Sequence, residues 1–141
     1  MSLETDVPPT KHEKLISLLL RIDAFLQFAA VGAVLMPFAW MGTVHEWLGL
    51  GRFPDEPIVE YLARSLSAFY LVHGVITFVI AGDVRRYRPL IRVWALSFIA
   101  MGVVTIAIDV VAGLPLFWTL SEGPFVIVFG LVILRLLDRQ S

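Results

Sequence analysis

One stretch limits what this chain can become. Across residues 58–81 the only charged side chains or histidines are Glu60, Arg64 and His73. About 24 residues of helix reach roughly 36 Å, enough to cross a hydrocarbon layer of about 30 Å with some tilt. At about 100° per residue, Glu60, Arg64, Ser67, Leu71 and Gly74 share one side, with Tyr70, His73 and Thr77 on the adjoining flank. A charge held in hydrocarbon costs several kcal/mol, so this face must look at other helices or at a hydrated cavity. The stretch ends in Arg85, Arg86, Arg88 and Arg92, the densest positive cluster in the chain. Such clusters stay cytoplasmic during insertion, so the helix is expected to enter from outside and leave inside.

The rest of the chain is as apolar. Hydrophobic residues make up 58% of the 141, charged residues only 16%, and mean hydropathy is +0.83, which predicts an all-α, integral membrane protein. With a net charge of −1, no nucleic-acid partner is expected. The absence of cysteine excludes thiol redox chemistry and thiolate metal sites. Residues 1–10 read as a mobile polar tail, and the remainder as one four-span domain, residues 11–141. Glu4 and Asp6 precede the first basic residues, so the N-terminal region reads as an uncleaved anchor. Thr10 and Glu13 form a capping-box pattern that starts a helix near Lys11.

Spans are expected over about residues 22–41, 58–81, 90–112 and 115–137. Pro37 should kink the outer third of the first by crowding the carbonyl of Ala33. An acidic external loop follows over residues 42–57, with a short interfacial helix near His45. Trp40 and Trp47 bracket the outer interface, and Pro124 should kink the fourth span. Lys11, Lys14, Arg21, Arg85, Arg86, Arg88, Arg92, Arg135 and Arg139 fall on one side, leaving Arg52 and Arg64 of the eleven basic residues on the other. Both termini are therefore expected in the cytoplasm, with the chain in a cell membrane.

Helix rise brings Glu60 and Arg64, Asp109, and Glu122 to similar depth near the outer face. Two readings stay open for this cluster. Arg64 could neutralise Asp109 or Glu122 in an ion-pair network that fixes register, or the carboxylates could line a pocket for a proton, a cation or a polar head group. His73, with Tyr70 and Thr77 beside it, would hydrogen-bond a neighbouring helix. Haem ligation needs a second ligand that His12 and His45, at opposite ends, do not supply. His45, Glu60 and Glu122 lack zinc spacing, and no metal is expected. Arg85, Arg86, Arg88 and Arg92 could hold anionic lipid or serve as a topology signal alone. No nucleophile motif or phosphate loop is present.

Pro37, the external loop, Glu60, Arg64 and Tyr70 in an ExxxRxxxxxY pattern, the basic turn and the loop at residues 113–115 together resemble the DoxX-like superfamily of small bacterial four-helix membrane proteins. The resemblance spans roughly residues 21–137 and implies a compact bundle, with little about activity. The expected function is a non-enzymatic membrane component that packs with itself or with a membrane-complex partner, and no bound cofactor is expected. The alternative is a protein that binds or transports a lipid-like or quinone-like ligand, a proton or a cation through a polar pocket in the outer half of the bundle.

Overall fold

The computed structural model describes residues 8–139, so most of the expected N-terminal tail lies outside the described residues. Within them the chain is helical, with no strand: α1 (Lys11–Phe28), α2 (Val31–Leu35), α3 (Phe38–Trp47), α4 (Pro57–Ala81), α5 (Arg88–Ala112) and α6 (Leu116–Asp138). Four segments are long and apolar enough to cross a membrane: Lys11–Leu35, Pro57–Ala81, Arg88–Ala112 and Leu116–Asp138. The protein is thus a multi-pass membrane helical bundle by length and composition.

The first span starts where the capping box puts it. Thr10 accepts the Glu13 N–H at 3.2 Å, and the Glu13 carboxylate accepts the Thr10 N–H at 2.7 Å, which satisfies donors that helix geometry would leave orphaned. Its far end differs from expectation. Residue 36 is extended (φ −68°, ψ 150°) and Pro37 caps a new helix, α3, instead of kinking a continuous one at 37. A residue before proline is driven out of the α region, and here that preference stops the helix at Leu35. The span is therefore Lys11–Leu35, not residues 22–41, and α3 takes up the start of the expected loop. Trp40 and Trp47, 64% and 82% exposed, both lie on α3. In α6 the helix continues through Pro124.

Two antiparallel pairs build the bundle: α1 and α2 pack on α4, and α5 packs on α6. Gly74 lets the first pair close, since a Cβ there would lie 3.1 Å from the Ala24 carbonyl oxygen and from Gln27. In the second pair, Gly102, Gly123 and Gly130 bring main chains into direct contact, as small residues do where lipid removes any hydrophobic drive for helices to associate. The α5–α6 turn closes on Gly113, at φ +69°, with Leu114 N–H donating to the Asp109 carbonyl at 3.0 Å. That is a left-handed C-terminal cap, a conformation glycine adopts at little cost.

The pairs join at the end that carries both described termini. Ile16, Leu20, Ile91, Ile133 and Leu137 are completely buried there, within one core cluster that also contains Ile80 and Trp94. Arg85 reaches Glu13 at 2.8 Å, Arg92 reaches Asp138 and Arg88 donates to the Leu137 carbonyl at 2.7 Å. These contacts tie α1, the 82–87 link, α5 and α6 together.

Candidate functional site

A polar chain crosses from α1 to α4 inside the bundle. Asp23 and Gln27 are four residues apart on α1 and so stack on one face. The Gln27 side-chain amide donates from Nε2 to Asp23 Oδ2 at 2.5 Å, and Gln27 Oε1 lies 2.6 Å from His73 Nδ1. The order of donors follows from chemistry. An ionised carboxylate only accepts, so it turns the Gln27 NH2 toward itself and leaves the amide oxygen for His73. Nδ1 must then carry the proton, and in neutral imidazole Nε2 becomes the acceptor.

Aromatic rings surround that imidazole. Its plane is parallel to Trp94 within 1° at a centroid distance of 6.2 Å, and Phe98 lies 5.7 Å away. Trp94 and Phe98 stack at 3.9 Å, with Phe129 of α6 edge-on to Trp94 at 6.0 Å. Trp94 is held in turn by its indole N–H, which donates to Thr77 Oγ1 at 3.2 Å. Thr77 is fully buried. His73 is half-buried, and its ring meets α1 through nitrogen and α5 through its face. Tyr70 stands 44% exposed one turn away.

The outer cluster does not assemble as one site. Arg64 donates to Glu60 at 2.8 Å, to the Val34 carbonyl at 2.5 Å and to the Met36 carbonyl at 3.1 Å. Those two carbonyls are among the acceptors left without helical partners when the chain stops at Pro37, and in a membrane they need a donor. Among the described residues Arg64 forms its ion pair with Glu60 alone. Asp109 is 3% exposed and faces α6, with Oδ2 lacking a hydrogen-bond partner. Glu122 is part-buried, with no basic side chain within ion-pair distance among the described residues.

The four basic residues of the turn also separate. Arg85 makes a two-pronged contact with Glu13, 2.8 Å on each arm, and donating to that carboxylate holds the guanidinium above its ordinary pKa. Arg88 and Arg92 are engaged by α6. Arg86 lies over the Tyr87 ring at 5.5 Å. Among the described residues no group of three or more His, Cys, Asp or Glu side chains could hold a metal ion.

Asp23, Gln27, Trp94 and Phe98 were not among the residues singled out from sequence for a site. The i, i+4 spacing of Asp23 and Gln27 was the available signal. Compared with known proteins, the chain matches no family model, no curated protein and no solved structure.

Proposed function

We propose that the protein is a non-enzymatic membrane component that holds a lipid-soluble ring bearing a hydroxyl group, a quinol-like molecule, at His73. One observation carries this reading: the Asp23–Gln27–His73 chain fixes the imidazole so that Nε2 is an acceptor beside the Trp94 and Phe98 rings. A ligand hydroxyl donates to that nitrogen, while its ring lies against the aromatic side chains. Three polar groups in a span carry a desolvation cost that a bound ligand would help to offset. Placement in a bacterial inner membrane with both termini cytoplasmic belongs to the same proposal: the orientation rests on the sorting of basic residues, and the membrane on the resemblance to small bacterial four-helix proteins.

The test is binding of a short-chain benzoquinol to the full chain in nanodiscs, followed by tryptophan fluorescence and calorimetry. His73→Phe keeps a ring and removes the nitrogen. It should weaken binding about tenfold, the worth of one hydrogen bond, and the corresponding quinone should bind more weakly than the quinol. Undiminished binding by His73→Phe, or none by the native protein, refutes the assignment.

A second reading is favoured by the Glu60–Arg64 pair, whose side chains remain 40% and 31% exposed on a membrane-crossing helix. A second copy or a partner helix would cover them. Native mass spectrometry showing only a ligand-free oligomer would support that reading over the first.

A further inference from the structure

At the end of the bundle that carries the termini, a cleft of about 770 Å³ opens between the first half of α1 and the 82–87 link. Four basic side chains, Lys14, Arg21, Arg85 and Arg86, line it against two acidic ones, Glu13 and Asp83. The acids are already engaged. Arg85 takes Glu13, and Asp83 Oδ1 accepts the Arg86 main-chain N–H at 3.0 Å. Lys14, Arg21 and Arg86 have no carboxylate within ion-pair distance among the described residues.

The α4 C-terminus, whose carbonyls would repel an anion, is blunted at this point. The Ser17 hydroxyl donates to the Ala81 carbonyl at 2.7 Å, which removes one outward-facing acceptor. Ser17 and Ala81 therefore stand level, and Ala81 ends α4. Lys14 lies about one turn outside that level and Arg21 about 6 Å inside it. Leu18, 54% exposed, lies between them on the same face of α1. Arg21 is steadied by the Phe78 ring at 5.6 Å, which leaves the N–H groups at the guanidinium edge available. The cleft thus presents cations at the end of the bundle with an apolar strip leading from it along α1 toward the middle of the span.

We propose that this cleft binds the phosphate group of an acidic glycerophospholipid, with Lys14 and Arg86 on the phosphate, Arg21 reaching up from the ester level, and an acyl chain along Leu18. The arrangement differs from a topology signal because it uses α1 as much as the basic turn. It leaves Arg88 and Arg92, which are engaged by α6, outside the site.

The experiment uses the full chain in nanodiscs of mixed phosphatidylcholine and phosphatidylglycerol, with retained lipids identified by native mass spectrometry. Phosphatidylglycerol should be retained preferentially. Lys14→Gln and Arg86→Gln should each lower that preference about fivefold. Both residues are exposed, so the variants should stay folded, which the melting midpoint verifies. Arg135→Gln, an exposed charge on α6 outside the cleft, should leave the preference unchanged. Equal retention of the two lipids, or an equal loss in Arg135→Gln, would overturn the site. Displacement of the lipid by inorganic phosphate at matching concentration would assign the cleft to a free anion and overturn its lipid part.

Discussion

Replacing Gly123 by alanine should pull α5 and α6 apart. A Cβ there would stand 2.3 Å from Ile106 Cγ1 and 2.9 Å from the Gly102 carbonyl oxygen, against ordinary contacts of about 3.5–4 Å. Neither obstacle is the far end of a flexible side chain. Gly102 faces the same limit from the other helix, with its Cβ position 2.7 Å from the Gly123 carbonyl oxygen. Relief requires the helices to separate by about 1 Å over this turn, and overpacking of that kind costs about 1–3 kcal/mol. An approach of 2.3 Å puts the cost in the upper part of that range, about 2–3 kcal/mol; alanine's helix preference returns about 1 kcal/mol, so the net loss should be about 1–2 kcal/mol, or about 3–8 °C in apparent Tm. Thermal unfolding in mild detergent, followed by circular dichroism, measures it. Gly32→Ala is the control, because its Cβ would meet only Met36 Cε at 4.0 Å, and its Tm should hold or rise. The double variant Gly102→Ala/Gly123→Ala should lose less than the sum of the single losses, since the first gap admits the second methyl. A Gly123→Ala protein that melts at or above the native temperature would refute the close main-chain contact.

Two further substitutions test the charges. Arg64→Gln should cost about 1–2 kcal/mol, because it releases two main-chain carbonyls as well as Glu60. Glu60→Gln should cost under about 1 kcal/mol, since both carbonyl bonds survive; equal losses in denaturation would show that Arg64 does not cap α2. Asp109→Asn should raise stability by about 1–3 kcal/mol by removing a buried charge with an unpartnered oxygen. A lower Tm would refute this account of the buried carboxylate.

The polar face of α4 was legible because its residues repeat at helical spacing: Arg64 reaches the Val34 and Met36 carbonyls, Ser67 and Leu71 are part-buried and Gly74 is buried. Depth was legible too, since rise per residue is fixed. What depth does not give is the direction a residue faces around its helix. Asp109 follows Ala95 and Gly102 at seven-residue intervals, and all three are buried. Because Gly102 and Ala95 lie against Gly123 and Gly130, that stripe turns Asp109 to α6 and away from Arg64. Glu122 adjoins Gly123 and is carried about 100° around α6 from the α5 contact. The Glu60–Arg64 pair, Asp109 and Glu122, at similar depth, thus look in three different directions. The azimuth is set by glycine contacts that bear no charge.

The Asp23–Gln27–His73 chain was hidden by a boundary. With the first span opening at residue 22, Asp23 reads as an edge residue that water could solvate. The capping box at Thr10 and the Ser17–Ala81 hydrogen bond set a different level, one that α1 reaches near Ser17. Asp23 then stands about 9 Å inside that level and Gln27 about 15 Å inside it, close to the roughly 12 Å that separates His73 from Ala81 on α4. At that depth a carboxylate needs a donor and an amide needs both kinds of partner. Gln27 supplies the first, and His73 accepts the constraint that follows from it. Gly74 makes the meeting possible, because any side chain at 74 would press on Gln27 and the Ala24 carbonyl. The residue that places the imidazole is therefore the neighbour that lacks a side chain, and Gly74→Ala should disturb His73 before it disturbs the helix.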